Sequence, residues 1–308
     1  MSELFNVETR IGRWARMLHF FNMARIYEQA YFDGKIVPLS EANVSIASSA
    51  VLYGLSVYTV FPVCKGENGL YAFRLKEHAR RLTNSARIIG IDAEVTDEQL
   101  LSAAKDLMSA NNVNEDVFVR VTIHVSDLVP GVRSRGLGTV LSIFVYEAAC
   151  ILPKDGARLK TSVWRRIPDY AIPSRAKVNG AYVNSVLARQ DALDSGYDDC
   201  VFLDVSGHVC ELSAANIFLV RDGVLHTPGQ SSDILEGISR ATILKLAEDL
   251  GIKTVERSID LTELYVSDEV FACGTSAFLT PVVEIDKRRV GDGTMGEMTK
   301  KLQALYFY

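Results

Sequence analysis

The sequence predicts a mixed α/β (α+β) protein of two domains whose sheets are largely antiparallel or mixed. Strand patterns meet in hairpins more often than they alternate with helices, which argues against a purely parallel sheet. Composition shifts near Ala148 to Gly156, where a domain boundary is expected. The chain has 308 residues and is 48% hydrophobic, enough to bury one or two large cores. The expected division is an N-terminal extension over 1–27, a small α/β domain over 28–150 and a larger domain over 151–308.

Taken in order, Ala30-Tyr31-Phe32 and Lys35 to Leu39 flank Asp33-Gly34, a strong hairpin signal. Ser56 to Val63 reads as a strand and Leu70 to Phe73 as its partner. A helix follows with Leu75, Leu82, Ala86 and Ile89 on one face and Gly90 as its stop. Thr96 to Asn111 reads as a second helix, with Asp97 and Glu98 in its first turn. Val117 to Val125 and Thr139 to Tyr146 are strands, and the intervening loop, Ser126 to Leu137, is long enough to suspect function.

Beyond the boundary, a strand is expected over Leu159 to Trp164 and a helix over Ala181 to Ser195. A hairpin turns at Ser206-Gly207. Its expected register sets Leu203 against Cys210 and Phe202 against Glu211, with Cys200 on the face away from Cys210. A second hairpin turns at Asp222-Gly223. A helix over Ser239 to Leu250, a strand over Glu269 to Cys273, a last hairpin and a C-terminal helix complete the chain.

Several function classes are excluded or disfavoured. Net charge is −5, which gives no support for nucleic-acid binding. No apolar run approaches the ~20 residues of a membrane span. Five cysteines without a Cys-x-x-Cys pair fit reduced thiols in the cytoplasm. The five histidines form no ligand spacing, so no metal site is expected. Arg10, Arg13, Arg16 and Arg25 interleave with Ile11, Trp14, Leu18, Phe20 and Phe21. This segment reads as a helix packed on the body or on a second subunit, or as a targeting or surface-binding helix.

Lys177, in Ser174-Arg175-Ala176-Lys177-Val178-Asn179-Gly180-Ala181-Tyr182, is the most informative residue. A lysine forms an imine with a carbonyl only when its amine can be neutral, and burial or a cationic neighbour favours that form. Alone, Lys177 would read as a surface lysine, so its companions carry the argument. Glu211 stands on the second strand of the Ser206-Gly207 hairpin, where a carboxylate could accept a pyridine N–H; otherwise it is an edge glutamate in solvent. Leu235-Glu236-Gly237-Ile238-Ser239 opens a helix, whose free N–H groups suit a phosphate; the plainer reading is a serine N-cap. Thr275 and Arg74 could add donors to the same anion. Lysine, carboxylate, helix start and hydroxyl turn are together the parts needed to hold pyridoxal phosphate.

These residues carry a resemblance. Phe73-Arg74, Glu77-His78, Arg81-Leu82, Lys177, Tyr182, Glu211, Asn216-Ile217-Phe218, Asp222-Gly223-Val224-Leu225, Gly237-Ile238-Ser239-Arg240, Asp268-Glu269-Val270-Phe271 and Gly274-Thr275 agree in order and spacing with the class IV (fold type IV) aminotransferases. The chain resembles that family over about residues 28 to 307, and resembles its branched-chain members most. The resemblance implies a pseudo-barrel second domain, pyridoxal 5′-phosphate as cofactor, an amino acid or amine donor, and a 2-oxo acid acceptor. It implies that Lys177 is the Schiff-base lysine, that Glu211 faces the pyridine nitrogen and that Tyr182 faces the phenolic oxygen. It further implies Leu235 against the ring and Arg74, Gly237, Ile238, Ser239 and Thr275 at the phosphate.

Tyr53 and Arg120 match the substrate-pocket tyrosine and arginine of branched-chain members, with Tyr58, Val60, Phe118 and Ser276 as further substrate-contacting candidates. Val60, Pro62 and Phe118 depart from that group, and Tyr58-Thr59-Val60 is similar to D-amino-acid and R-amine transaminases. Aminodeoxychorismate lyase is the remaining enzyme alternative. The family resemblance also implies at least a homodimer, with the loop Ser126 to Leu137 reaching into the neighbouring site.

Overall fold

The computed structural model describes residues 24–306. Its first sheet uses β1 (Gln29–Phe32), β2 (Lys35–Pro38), β3 (Ser56–Gly66), β4 (Gly69–Ala72), β5 (Val117–Val125) and β6 (Thr139–Glu147). The six strands run in the order β2-β1-β6-β5-β3-β4, and every pairing is antiparallel. The β1–β2 turn is Asp33-Gly34 with φ of 47° and 87°, the left-handed pair that a two-residue hairpin demands. Along β3 and β5, residues alternate strictly. Val57, Phe61, Val63, Val119 and Val121 pack under the helices Leu75–Ile88 and Asp97–Ala110. Tyr58, Val60 and Phe118 lie on the opposite face with Tyr146. The helix Asp97–Ala110 starts in a capping box, Thr96 with Gln99.

The second sheet is built from β7 (Ala157–Thr161), β8 (Asp199–Leu203), β9 (Val209–Leu212), β10 (Asn216–Arg221), β11 (Val224–Pro228), β12 (Thr254–Arg257), β13 (Glu269–Gly274), β14 (Phe278–Ile285) and β15 (Arg288–Arg289). Its main path is β12-β11-β10-β13-β14-β7-β8-β9, with β15 on β14. Three of its pairings are parallel, β11–β12, β7–β14 and β7–β8, so this sheet is mixed. Its faces separate two cores. Ile217 and Leu219 pack with Leu159, Val201 and Leu203. Phe218 and Val220 pack with Phe271 and with the helices Ile238–Asp249 and Glu297–Tyr306. All strands of the first sheet precede Ala148, and all of the second follow Gly156.

One expected register is corrected. Val201 pairs with Leu212, as the hairpin pattern demands, but Leu203 pairs with Val209, not Cys210, because a bulge intervenes. Val209 and Leu212 face one core with Val201 and Leu203. Cys210 faces the other side with Cys200 and Phe202. The two thiols therefore share a face, contrary to expectation, and both are free. The bulge also frees Glu211 from strict alternation.

Among the described residues no helix is long and apolar enough to cross a membrane. The basic N-terminal segment lies outside the described residues up to position 23. Arg25, its last arginine, pairs with Glu115 and Tyr27.

Candidate active site

A cavity opens between the two sheets. Tyr58, Val60, Arg120 and Tyr146 from the first sheet face it, and Glu211, Asn216 and Gly274 from the second, with Thr275 in the turn after β13. The segment Ser174–Tyr182 and the start of helix Ile238–Asp249 close its sides.

Lys177 enters on a short backbone ladder. Tyr58 N–H donates to Lys177 C=O at 3.0 Å and Asn179 N–H donates to Ser56 C=O at 2.9 Å. Val57 and Val178 thus form an antiparallel bridge to β3. Gly54 and Gly180 meet where this ladder ends. A Cβ on Gly54, whose φ is +65°, would stand 2.9 Å from Gly180 Cα. The Lys177 Nζ donates to the Tyr182 hydroxyl at 2.7 Å. Burial lowers the Lys177 amine from its ordinary value, which favours the neutral nucleophile. Burial alone would raise the Tyr182 hydroxyl. The adjacent Lys177 charge and hydrogen bonds from Lys177 and Tyr58 outweigh it, so its proton is held less tightly than usual.

Glu211 is 5% exposed. Its Oε1 accepts from Arg166 Nη2 at 2.9 Å. Its Oε2 accepts from Asn216 Nδ2 at 3.0 Å and Leu235 N–H at 3.2 Å. Burial pushes this carboxyl up, and the Arg166 guanidinium and the Leu235 N–H oppose the rise. All three partners donate, so the ionised carboxylate is the form this pocket accommodates.

Gly237, not Ser239, is the N-cap of helix Ile238–Asp249, with φ −70° and ψ 135° and no side-chain cap bond. The serine N-cap reading is therefore corrected: Ser239 sits inside the first turn, and its Oγ meets the Tyr306 hydroxyl at 2.9 Å. The helix start keeps its N–H groups for another acceptor. A side chain on Gly237 would collide with Asn216 Oδ1, so the cradle needs glycine. Thr275 Oγ1 donates to Val60 C=O at 3.2 Å.

Of the expected site residues, Lys177, Tyr182, Glu211, Leu235, Gly237, Ile238, Ser239, Thr275, Ser276, Tyr58, Val60 and Arg120 all line this one cavity. Three do not. Arg74 lies behind the helix start, donating to Glu77 Oε1 and to Thr242 Oγ1 at 2.8 Å. It is the left-handed N-cap, φ 47°, of helix Leu75–Ile88. Tyr53 is 46% exposed at the end of helix Ser49–Leu52. Phe118 is buried behind Tyr146 and Phe278.

The arginine of helix Leu75–Ile88 that lines the cavity is Arg81, not Arg74, and the sequence reading passed over it. Arg81 lines the cavity, and its buried Nε has no hydrogen-bond partner. Burial lowers its guanidinium to about 10. An orphaned buried guanidinium nitrogen beside an uncapped helix start fits a phosphate. Together with Lys177, Tyr182 and Glu211, these residues fit pyridoxal phosphate. Arg166 and Tyr146 were also missed. A buried glutamate demands a cation, which could have prompted a search for Arg166; nothing in the sequence points to Tyr146.

The family of amino-transferase class IV matches residues 56–285. A probable branched-chain-amino-acid aminotransferase of Aquifex aeolicus is 40% identical over 295 residues, covering 94% of each chain. The branched-chain aminotransferase of Thermoproteus uzoniensis, solved with norvaline, is 37% identical with TM-score 0.88, over 91% of this chain and 94% of that one. The branched-chain amino acid aminotransferase of Thermobaculum terrenum, solved in its PLP-form, is 33% identical with TM-score 0.83, over 92% of this chain and 93% of that one.

Proposed function

The chain belongs to the class IV aminotransferases, and from that premise we propose that its cavity moves an amino group between a branched-chain L-amino acid and a 2-oxo acid such as 2-oxoglutarate. It is a pyridoxal-phosphate-dependent transaminase. The observation that carries the reading is the convergence in one cavity of Lys177, Tyr182, Glu211 and the unpartnered Arg81 Nε. When bound, pyridoxal phosphate supplies a carbonyl that takes up the amino group and a ring that accepts the electron pair released at the substrate carbon.

The chain's own residues divide the remaining work. Lys177 Nζ, biased to its neutral form by burial, takes the proton from the substrate carbon and returns it. Tyr182 orients that amine through the 2.7 Å bond. With pyridoxal phosphate bound, Glu211 would hold a proton at the ring nitrogen and Leu235 would lie against the ring. Arg81 and the Gly237-Ile238-Ser239 helix start would bind the phosphate, with Thr275 beside them. Arg120 binds the substrate carboxylate. Its guanidinium lies 3.8 Å over the Tyr58 ring and donates to Asn179 Oδ1 at 3.0 Å. Val60 and Ser276 shape the side-chain pocket.

Residues 28–150 and 151–308 form the two domains, with the cavity between them. The working unit is at least a homodimer. Leu128, Val129 and Val132 are exposed, as are Ile46, Val51 and Tyr53, and backbone bonds from Val129 and Ser49 hold the two segments together. Such an apolar surface suits a second copy.

Steady-state kcat/KM across L- and D-amino acids and chiral amines, with 2-oxoglutarate and pyruvate, tests the substrate. L-leucine, L-isoleucine or L-valine should lead, with side activity on D-amino acids or R-amines, because Val60 narrows one wall. Tenfold or greater preference for D-alanine or an R-amine would replace the branched-chain reading.

A further inference from the structure

Helix Leu75–Ile88 presents a polar stripe at positions i, i+3 and i+7, with His78 and Ser85 buried and Arg81 half-buried between them. Each member has a job outside the helix. Ser85 Oγ accepts from Lys177 N–H at 3.1 Å. Arg81 Nη2 donates to Thr59 Oγ1 at 3.1 Å. Thr59 Oγ1 lies 2.8 Å from His78 Nδ1. Thr59 is fully buried on β3, between the cavity-lining Tyr58 and Val60, and its side chain points to the helix face.

Counting donors and acceptors favours one arrangement of this chain. Arg81 can only donate, so Thr59 Oγ1 accepts from it. Thr59 Oγ1 keeps a second lone pair, but accepting from Nδ1–H as well would leave its own hydrogen without an acceptor among the described residues. Giving that hydrogen to a bare Nδ1, with the ring proton on Nε2, satisfies every group. Burial and the nearby Arg81, Lys177 and Arg74 charges hold His78 well below its ordinary value, in accord with a neutral ring.

We infer that Thr59 and His78 are positioning residues for Arg81. His78 fixes the direction of the Thr59 hydroxyl, Thr59 fixes one edge of the guanidinium, and the unpartnered Nε is left for the cofactor's phosphate. The inference rests on the reading that Arg81 meets that phosphate. A guanidinium on a long, flexible stem loses less freedom on binding an anion when one edge is already tethered. The stripe also ties two ends of one ligand to one rigid element: Arg81 at the phosphate end, and Ser85 on the backbone of the lysine.

The test is a titration of apo-enzyme with pyridoxal phosphate and, separately, with pyridoxal, which lacks the phosphate, followed by the visible absorbance of the bound ligand. Thr59→Val should weaken pyridoxal phosphate by about tenfold, the size of one hydrogen bond to a charged group, and leave pyridoxal unchanged. Thr59→Ser should restore wild-type binding, and His78→Phe should show a smaller loss, again confined to the phosphorylated ligand. Equal weakening of both ligands by Thr59→Val, or failure of serine to restore binding, would assign Thr59 a merely structural role and overturn the inference. So would wild-type binding by Thr59→Val alongside a large loss in Arg81→Ala. Wild-type binding by Arg81→Ala would instead remove the phosphate reading on which the inference rests.

Discussion

Replacing Glu211 by glutamine keeps the shape of the side chain and removes its charge. Every partner of the carboxylate is a donor: Arg166 Nη2 at 2.9 Å, Asn216 Nδ2 at 3.0 Å and Leu235 N–H at 3.2 Å. An amide offers one acceptor and one NH2. Either way round, its NH2 abuts a donor, Arg166 in one orientation, Asn216 and Leu235 in the other. The Arg166 and Glu211 side chains are only 12% and 7% exposed, so water repairs little of the loss. Breaking a buried pair outright costs roughly 3–5 kcal/mol. The amide oxygen can still accept from one side, so a loss of about 2–4 kcal/mol in unfolding free energy is expected. Urea denaturation of the apo-protein measures it. Adding Arg166→Met removes the uncompensated guanidinium and should recover part of the loss. In the holoenzyme, kcat of both half-reactions should fall while cofactor still binds. A cost below about 1 kcal/mol, or strict additivity of the two substitutions, would refute the account of Glu211 as a buried carboxylate held by three donors; an unchanged kcat would remove it from the mechanism.

Lys177→Ala should abolish transamination with the fold retained, checked by multiple-turnover assay beside circular dichroism; Arg is no rescue, since guanidinium cannot serve as a neutral amine. Arg74→Ala should leave cofactor affinity nearly unchanged in the same titration that Arg81→Ala disables, because Arg74 serves Glu77 and Thr242. Gly54→Ala should lower unfolding free energy by at least ~1 kcal/mol through its left-handed backbone and its collision with Gly180, and should slow turnover by displacing the Lys177 segment. Asp199, fully buried and bonded to Ser213 Oγ, has its carboxyl raised by burial. The folded state therefore binds its proton more tightly than the unfolded chain, whose carboxyl titrates near ~3.9. That contribution is complete below the unfolded value and is lost as pH rises through the folded one. Asp199→Asn should thus gain stability relative to wild type as pH rises above about 4, and parallel pH curves would contradict this.

Much of the site was legible because its chemistry is written in short local patterns. Lys177 with Tyr182 lies within one loop and the first turn of a helix, and Gly237-Ile238-Ser239 announces its own helix start. Tyr58 and Val60 were reached through the family resemblance, and the structure sets them on one face of β3; Asp-Gly pairs marked two hairpins. What failed depends on geometry that pattern does not encode. The bulge between Val201 and Leu203 shifts the register by one residue without a sequence mark, so Cys210 changed face. Arg74 and Arg81 stand seven residues, about two turns, apart; Arg74 is the left-handed cap of the helix, and only Arg81 lines the cavity, a difference that no local pattern marks. Tyr146 gained its place from pairing opposite Phe118, a contact between strands. Tyr146, and not Phe118, lines the cavity.

The bridge between Val57 and Val178 has a consequence for motion. Lys177 belongs to a segment that follows the first sheet in sequence by many residues, yet its backbone is hydrogen-bonded to β3 as though it were one more strand at that sheet's margin. The reacting amine therefore travels with the first sheet. Any breathing of the cleft that admits substrate must hinge on other connections, because separating Lys177 from Tyr58 would require local unfolding of ladder bonds. Admission of substrate and alignment of the amine are thereby assigned to different parts of the chain, and flexibility at the entrance need not blur the reacting centre. In amide exchange, Tyr58 and Asn179 should belong to the same slow cooperative unit.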